Sequence, residues 1–244
     1  MLDENKKWGR LWGIGVGPGD AEWLTLKALR IIQAVPVVAL PQNVRGGPGM
    51  AYGIIREYLQ PAQKVLPLAL PFVLDEEILQ KAWHVAVEQL IPWLEQGQDV
   101  AFLAEGDISF YSTFTYIART LHAQAPWVAI ESIPGICSPL AAAGVLHTPL
   151  AIGHEKTVIL PALFTLDELG HALDWAEVVV LLKLTSVFAQ VWQLLKSKNL
   201  LEHASLVEWV GGSQQKIFPN LLDLADYKPP YFSILIVRRY PYVF

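Results

Sequence analysis

The chain has 244 residues and a formal net charge of −5, which leaves room for one large or two small domains and gives no global positive field to draw nucleic acid. Hydrophobic residues make up 53% and charged residues 17%, a balance that supplies a buried core and excludes a disordered chain. The single cysteine, Cys137, rules out an internal disulfide and points to a reducing, cytoplasmic setting.

The start, MLDENKKWGR, is polar and carries no secretory apolar region. Residues 11–16 read as a first strand, and residues 25–34 as a helix with Thr25 as N-cap. Residues 37–40 read as a short buried strand. The richest apolar stretch, residues 31–40, holds Gln33 and Pro36 and falls short of the roughly 18 residues of a membrane span. PQNVRGGPG (residues 41–49) is a loop by composition. Residues 50–59 and 76–94 read as helices, the second expected to kink or end at Pro92. Residues 64–68 and 99–103 read as strands, residues 112–123 as a helix and residues 128–132 as a strand. A second half is expected from about residue 133, giving two α/β domains, 1–132 and 133–244. In it, residues 138–146 and 186–198 read as helices, the latter with Val187, Val191, Leu194 and Leu195 near helical spacing. Residues 157–160, 178–183, 205–209 and 232–237 read as strands. Such alternation favours an α/β fold, a parallel sheet with flanking helices. Nine scattered tryptophans suit core positions or a subunit interface.

Three motifs stand where apolar runs stop, and ligands of open α/β sheets collect at such strand ends. The first, GIGVGPGD (residues 13–20), suits a tight turn or a close backbone approach by a ligand. Its spacing departs from the dinucleotide fingerprint, because Pro18 or Asp20 stands where the third glycine belongs, and no Gly-Lys-Ser/Thr follows for a P-loop. The second, AEGDISFYST (residues 104–113), places Glu105 and Asp107 beside Gly106. These carboxylates could accept hydrogen bonds from hydroxyl or amino groups, offset a positive charge, or form a solvated turn in which Asp107 bonds its own backbone. A metal is disfavoured, since no His or further carboxylate lies nearby in sequence. The third, IPGICSPLAAA (residues 133–143), is a Pro-Gly turn before an alanine-rich helix. Cys137 has no His, Asn or Asp arrangement to make it a nucleophile and suits a small packed position. The six histidines form no ligand set.

In order and content these motifs resemble the tetrapyrrole methyltransferases that use S-adenosylmethionine, and in particular the branch acting at C20 of the corrin precursor. GxGPGD followed by LTLKA (residues 24–28) matches the opening signature of that family, and Tyr111-Ser112-Thr113 matches the run after its Gly-Asp-Pro turn. Ile108 replaces the usual proline and Glu105 an apolar or glycine position. Fainter matches follow in VVVLLKL (residues 178–184, with Leu182 for Met), EWVGGS (208–213) and YFSILIVRR (231–239).

The resemblance implies two α/β domains with the cofactor cleft between them, a homodimer, and S-adenosylmethionine as methyl donor. Cofactor-contact positions are then Pro18, Glu105, Gly106, Asp107, Phe110, Ser112, Thr113, Cys137, Ser138, Leu182 and Gly211. The implied activity is C20 methylation of precorrin-2 or cobalt-factor II in cobalamin biosynthesis. A methylase acting at another ring carbon, or a binding module that has lost catalysis, fits the same scaffold. Asp107, then Tyr111, are the candidates for assisting proton loss or orienting the substrate. Arg45, in the glycine loop, could clamp a carboxylate of the tetrapyrrole through bidentate bonds or remain a solvated loop residue.

Overall fold

Five apolar runs of the first half become parallel strands: β1 (Leu11–Gly15), β2 (Val37–Pro41), β3 (Lys64–Leu68), β4 (Val100–Ala104) and β5 (Ile130–Ile133). They pair in the order β3-β2-β4-β1-β5. Four helices connect them: α1 (Leu26–Ala34), α2 (Met50–Ile55), α3 (Glu76–Glu95) and α4 (Phe114–Gln124). The structure is a computed structural model that describes residues 7–43, 45–71, 73, 75–162 and 165–240. The chain divides into two compact units, Met1–Cys137 and Ser138–Phe244.

Strand β4 is buried throughout because both sheet faces are covered. Val100, Phe102 and Ala104 pack with α3 and α4 on one face, while Ala101 and Leu103 pack with α1 and α2 on the other. The period of two follows from the alternation of side chains along a strand. Helix α1 starts where the sequence suggests, with Thr25 Oγ1 accepting from the Ala28 amide at 3.2 Å. Helix α2 is shorter than expected and tightens into a 3-10 turn at Arg56–Tyr58.

Pro92 does not end α3, which runs on to Glu95. Ala86, Val87, Leu90 and Leu94 anchor one face in the core, whereas Pro92 is exposed in the last turn, as is Glu88 four residues before it. The proline thus falls on the exposed side of the helix, where water can take the place of the hydrogen bond it removes.

The second unit holds α5 (Ser138–Val145), β6 (Thr157–Leu160), α6 (Leu166–Trp175), β7 (Val178–Leu182), α7 (Phe188–Ser197), β8 (Ala204–Glu208), β9 (Lys216–Phe218) and β10 (Ser233–Arg238). Its order is β6-β7-β10-β8-β9. Here the expected parallel sheet is overturned. Only β6 and β7 run parallel, across α6; β10 is antiparallel to both β7 and β8, and β8 and β9 form an antiparallel pair. No helix separates β8 from β9, so a crossover is impossible and the chain turns back as a hairpin. Arg238 fastens the α5–β6 loop to β10: its guanidinium pairs both oxygens of Glu155, at 2.9 and 2.8 Å, and donates to the Pro149 and Leu150 carbonyls.

Candidate active site

From β1 the chain crosses past β4 to reach β2; from β4 it crosses past β1 to reach β5. The two connections run in opposite directions on opposite faces of the sheet, α1 packing on one and α4 on the other, so the carboxyl ends of the adjacent strands β1 and β4 stand side by side, at the edge of the sheet where ligands of α/β proteins collect. Two of the sequence motifs leave the sheet at those ends. They are tied by an antiparallel bridge between Gly17 and Gly106. The Gly17 amide donates to the Gly106 carbonyl at 3.1 Å and the Gly106 amide to the Gly17 carbonyl at 2.8 Å. Both glycines hold positive φ, +77° and +70°, a conformation that side chains disfavour. A Cβ on Gly106 would meet only the Ile136 carbonyl, at an ordinary 4.0 Å, so it is the backbone angle and not crowding that calls for glycine there. Pro18 follows it and is buried.

The third motif packs against the first two from the end of β5. The Gly135 amide donates to Asp107 Oδ2 at 2.9 Å. A Cβ on Gly135 would fall 2.6 Å from the Gly15 carbonyl and press on the Gly106 oxygen. One on Gly15 would sit 2.7 Å from the Gly106 oxygen and 2.8 Å from the Gly135 nitrogen. Three strand-end loops therefore converge at van der Waals distance because none carries a side chain at the meeting point.

The two carboxylates have different surroundings. Asp107 Oδ1 accepts from the Ser109 amide at 2.8 Å and from the Ser109 hydroxyl, while Oδ2 takes the Gly135 amide. Burial pushes its pKa up, but the bonds from the Ser109 hydroxyl, the Ser109 amide and the Gly135 amide outweigh it and hold the carboxyl below its ordinary value. Asp107 is thus a poor base and a firm anchor. Glu105 Oε1 accepts from the Ala51 amide in the first turn of α2 at 3.1 Å. Burial raises its pKa, with the Ala51 amide and its own amide opposing the rise.

Glu105→Gln keeps an acceptor for Ala51 and removes the buried charge. A raised folded pKa means that Glu105 costs stability once pH climbs above its unfolded value, near 4.3, and none below it. Thermal melting at pH 7 is therefore expected to show the Gln variant equal to or more stable than the parent, with the difference gone in acid. A variant clearly less stable at pH 7 would refute this.

Phe110, Tyr111, Ser112 and Thr113 form the outer part of the second loop. Tyr111 is 57% exposed and strained at φ +52°. Ser112 Oγ accepts from the Phe114 amide at 3.2 Å, which starts α4. Arg45 is exposed in the loop after β2. That loop is ordered by Asn43, whose Oδ1 accepts from the Arg45 and Gly47 amides at 2.9 and 3.2 Å and whose Nδ2 donates to the Pro48 carbonyl at 3.0 Å. Glu105 grips the helix that follows the same loop. Cys137 is half-buried at the end of the first unit, and Ser138 opens α5.

In the second unit, Leu182 ends β7 and Gly211 lies in the β8–β9 hairpin loop, where its amide donates to Gln215 Oε1 at 2.7 Å. Lys183 and Trp209, each the first residue after β7 and β8, hold positive φ of +56° and +49°. Such strain costs on the order of 1–3 kcal/mol per residue and gathers at functional loops. Both residues lie within stretches already singled out in the sequence, VVVLLKL and EWVGGS, but their strain is not legible there, because a backbone angle leaves no compositional mark. Among the described residues, no three His, Cys, Asp or Glu side chains gather as a metal site.

The chain belongs to the Tetrapyrrole (Corrin/Porphyrin) Methylases, whose family model matches residues 10–225. The cobalamin biosynthesis protein CobIJ of Mycobacterium tuberculosis is 32% identical over 237 residues. The match covers 94% of this chain, but the chain spans about half, 46%, of that relative's length. The cobalt-precorrin-2 C(20)-methyltransferase of Salmonella typhimurium is 27% identical, with 95% of this chain and 97% of that protein covered. Among solved structures, the uroporphyrin-III C-methyl transferase of Thermus thermophilus complexed with S-adenyl homocysteine has a TM-score of 0.66 at 19% identity, covering 94% of this chain and 92% of that one. At that identity the likeness shows the fold.

Proposed function

We propose that the protein transfers a methyl group from S-adenosylmethionine to C20 of precorrin-2 or cobalt-factor II, in cobalamin biosynthesis. The observation that carries this reading is the convergence of three strand-end loops through the Gly17–Gly106 bridge and the Asp107–Gly135 bond. The near full-length match to the Salmonella C(20)-methyltransferase supports the choice of substrate and ring carbon. A homodimer and a cytoplasmic location belong to the same reading. No helix among the described residues is long and apolar enough to cross a membrane.

When bound, the donor supplies an activated methyl group on a positive sulfur. In this reading Pro18, Glu105, Gly106, Asp107, Phe110, Ser112, Thr113, Cys137, Ser138, Leu182 and Gly211 border it. Their work is orientation. Fixing two reactants in an attack geometry is worth roughly 7–11 kcal/mol, and closing the site against water protects that geometry. Asp107 remains ionised and orients the loops that meet the donor. Tyr111, exposed and carrying a hydroxyl, is the better placed of the two for handling the C20 proton.

Arg45 is assigned to a carboxylate of the tetrapyrrole. Charge-assisted hydrogen bonds contribute about 1.5–3 kcal/mol, so Arg45→Ala is expected to weaken substrate binding roughly tenfold or more while donor binding stays the same; unchanged substrate affinity would reject the clamp. The activity itself is tested by incubating the protein with methyl-labelled S-adenosylmethionine and precorrin-2, with and without cobalt, and locating the label by NMR. Label at C20 is expected. Label at another carbon, or binding of the donor with no transfer, would contradict the assignment.

A further inference from the structure

The second unit holds a cluster of polar groups that the methyl-transfer reading does not use. Glu208, the last residue of β8, is only 2% exposed, and its Oε1 has no hydrogen-bond partner among the described residues. Ser233 stands directly across from it on β10, is 3% exposed, and its hydroxyl is likewise unpartnered. Lys216 stands directly across on the other side, on β9. Residues opposite one another in antiparallel strands share a face. Ser233, Glu208 and Lys216 therefore form one polar row across three strands, two of its three members buried.

Buried polar atoms without partners are rare in native proteins, and each calls for an explanation. Here one of them, on Glu208, belongs to the lining of a cavity of about 440 Å³ formed with Trp209, Gln214, Lys216, Tyr227, Lys228 and Pro230. Small-molecule sites begin at about 300 Å³. Tyr227 lines the same cavity, and its pKa is pushed up to about 12, by burial first and then by its interaction with the Glu208 carboxylate. The wall beside it is Trp209, held in a strained backbone conformation. Two lysines against one carboxylate give the lining a net positive charge.

We propose that this cavity binds a small anion that also carries an amino group on a flat ring, of the aminated-nucleotide class. The amino N–H seats on Glu208 Oε1, the ring lies along Trp209, and the anionic group takes Lys216 and Lys228. The site needs only residues of the second unit, and Glu208, Lys216 and Lys228 are none of those proposed to border the methyl donor.

Adenosine and inosine monophosphates are suitable probes, because they differ at the exocyclic amino group. Titrating the full chain and following tryptophan fluorescence is expected to show adenosine monophosphate binding at least tenfold more tightly than inosine monophosphate. Glu208→Gln, whose amide both donates and accepts, is expected to bring the two within about twofold. Lys216→Met is expected to weaken both probes alike, several-fold. Adenosylhomocysteine affinity should be unchanged in either variant, and saturating adenosylhomocysteine should leave adenosine monophosphate binding intact. Equal affinity of the two probes for the parent protein, or no binding of either at millimolar concentration, overturns the proposal. Displacement by adenosylhomocysteine also overturns it, by merging this cavity with the donor site while leaving the methyltransferase reading in place.

Discussion

Gly135→Ala is expected to lose most of the affinity for the methyl donor and about 1–3 kcal/mol of stability. The position has no positive φ to excuse a glycine. What demands it is contact: the added carbon lands 2.6 Å from the Gly15 carbonyl and against the Gly106 oxygen, and both obstacles are backbone. Neither can swing aside as a long side chain would. The Pro134–Cys137 turn must retreat, and in retreating it lengthens the 2.9 Å bond from the Gly135 amide to Asp107. Gly144→Ala is the matching control, since a Cβ there meets nothing within 4 Å and the residue lies in α5. That change is expected to be neutral or to stabilise by about 0.5–1 kcal/mol. Urea denaturation and adenosylhomocysteine titration of both variants distinguish local crowding at the loop junction from a general intolerance of alanine.

Asp107→Asn is expected to cut donor affinity or turnover by roughly 10- to 100-fold, the equivalent of about 1.5–3 kcal/mol for hydrogen bonds to a charged group. The carboxylate accepts on both oxygens, from Ser109 on one and Gly135 on the other. An amide can accept on only one; its NH₂ must then face another donor. The second and third loops lose a shared anchor whichever way it turns. The acid limb of the stability curve carries the same information. Since the folded pKa lies below the ordinary value, the contribution of Asp107 is full above about pH 3.9 and disappears as pH falls through the depressed value. The Asn variant should lack that part of the acid transition. Full turnover with normal donor binding in Asp107→Asn would remove the residue from the site.

Local features of the fold were legible because local chemistry decides them. Thr25 caps α1 through a bond three residues away, and strands such as Lys64–Leu68 follow from short apolar runs between turn formers. Features set by distant pairing were not. Helix α6 escaped notice because LDELGHALDW buries only Leu169, Ala172 and Leu173, and β9 is three residues long. The antiparallel course of β10 depends on its insertion between β7 and β8, which no single segment announces.

The candidate site divides in the same way. Glycine-rich strand ends pointed to the loops that meet at the ends of β1 and β4. The bond that joins Asp107 to Gly135 spans 28 residues of sequence, and the strain at Tyr111, Lys183 and Trp209 resides in backbone angles that any residue type conceals. The grip of Glu105 on Ala51 crosses 54 residues and turns a position first read as a cofactor contact into one that also steadies the loop bearing Arg45.

One crystal structure bears on all of this at once: the protein grown with adenosylhomocysteine, the spent donor. Density is expected to lie along the paired glycine backbones at the ends of β1 and β4, beside the aspartate-bearing turn. Spent donor found elsewhere, with that backbone bare to solvent, would contradict the account.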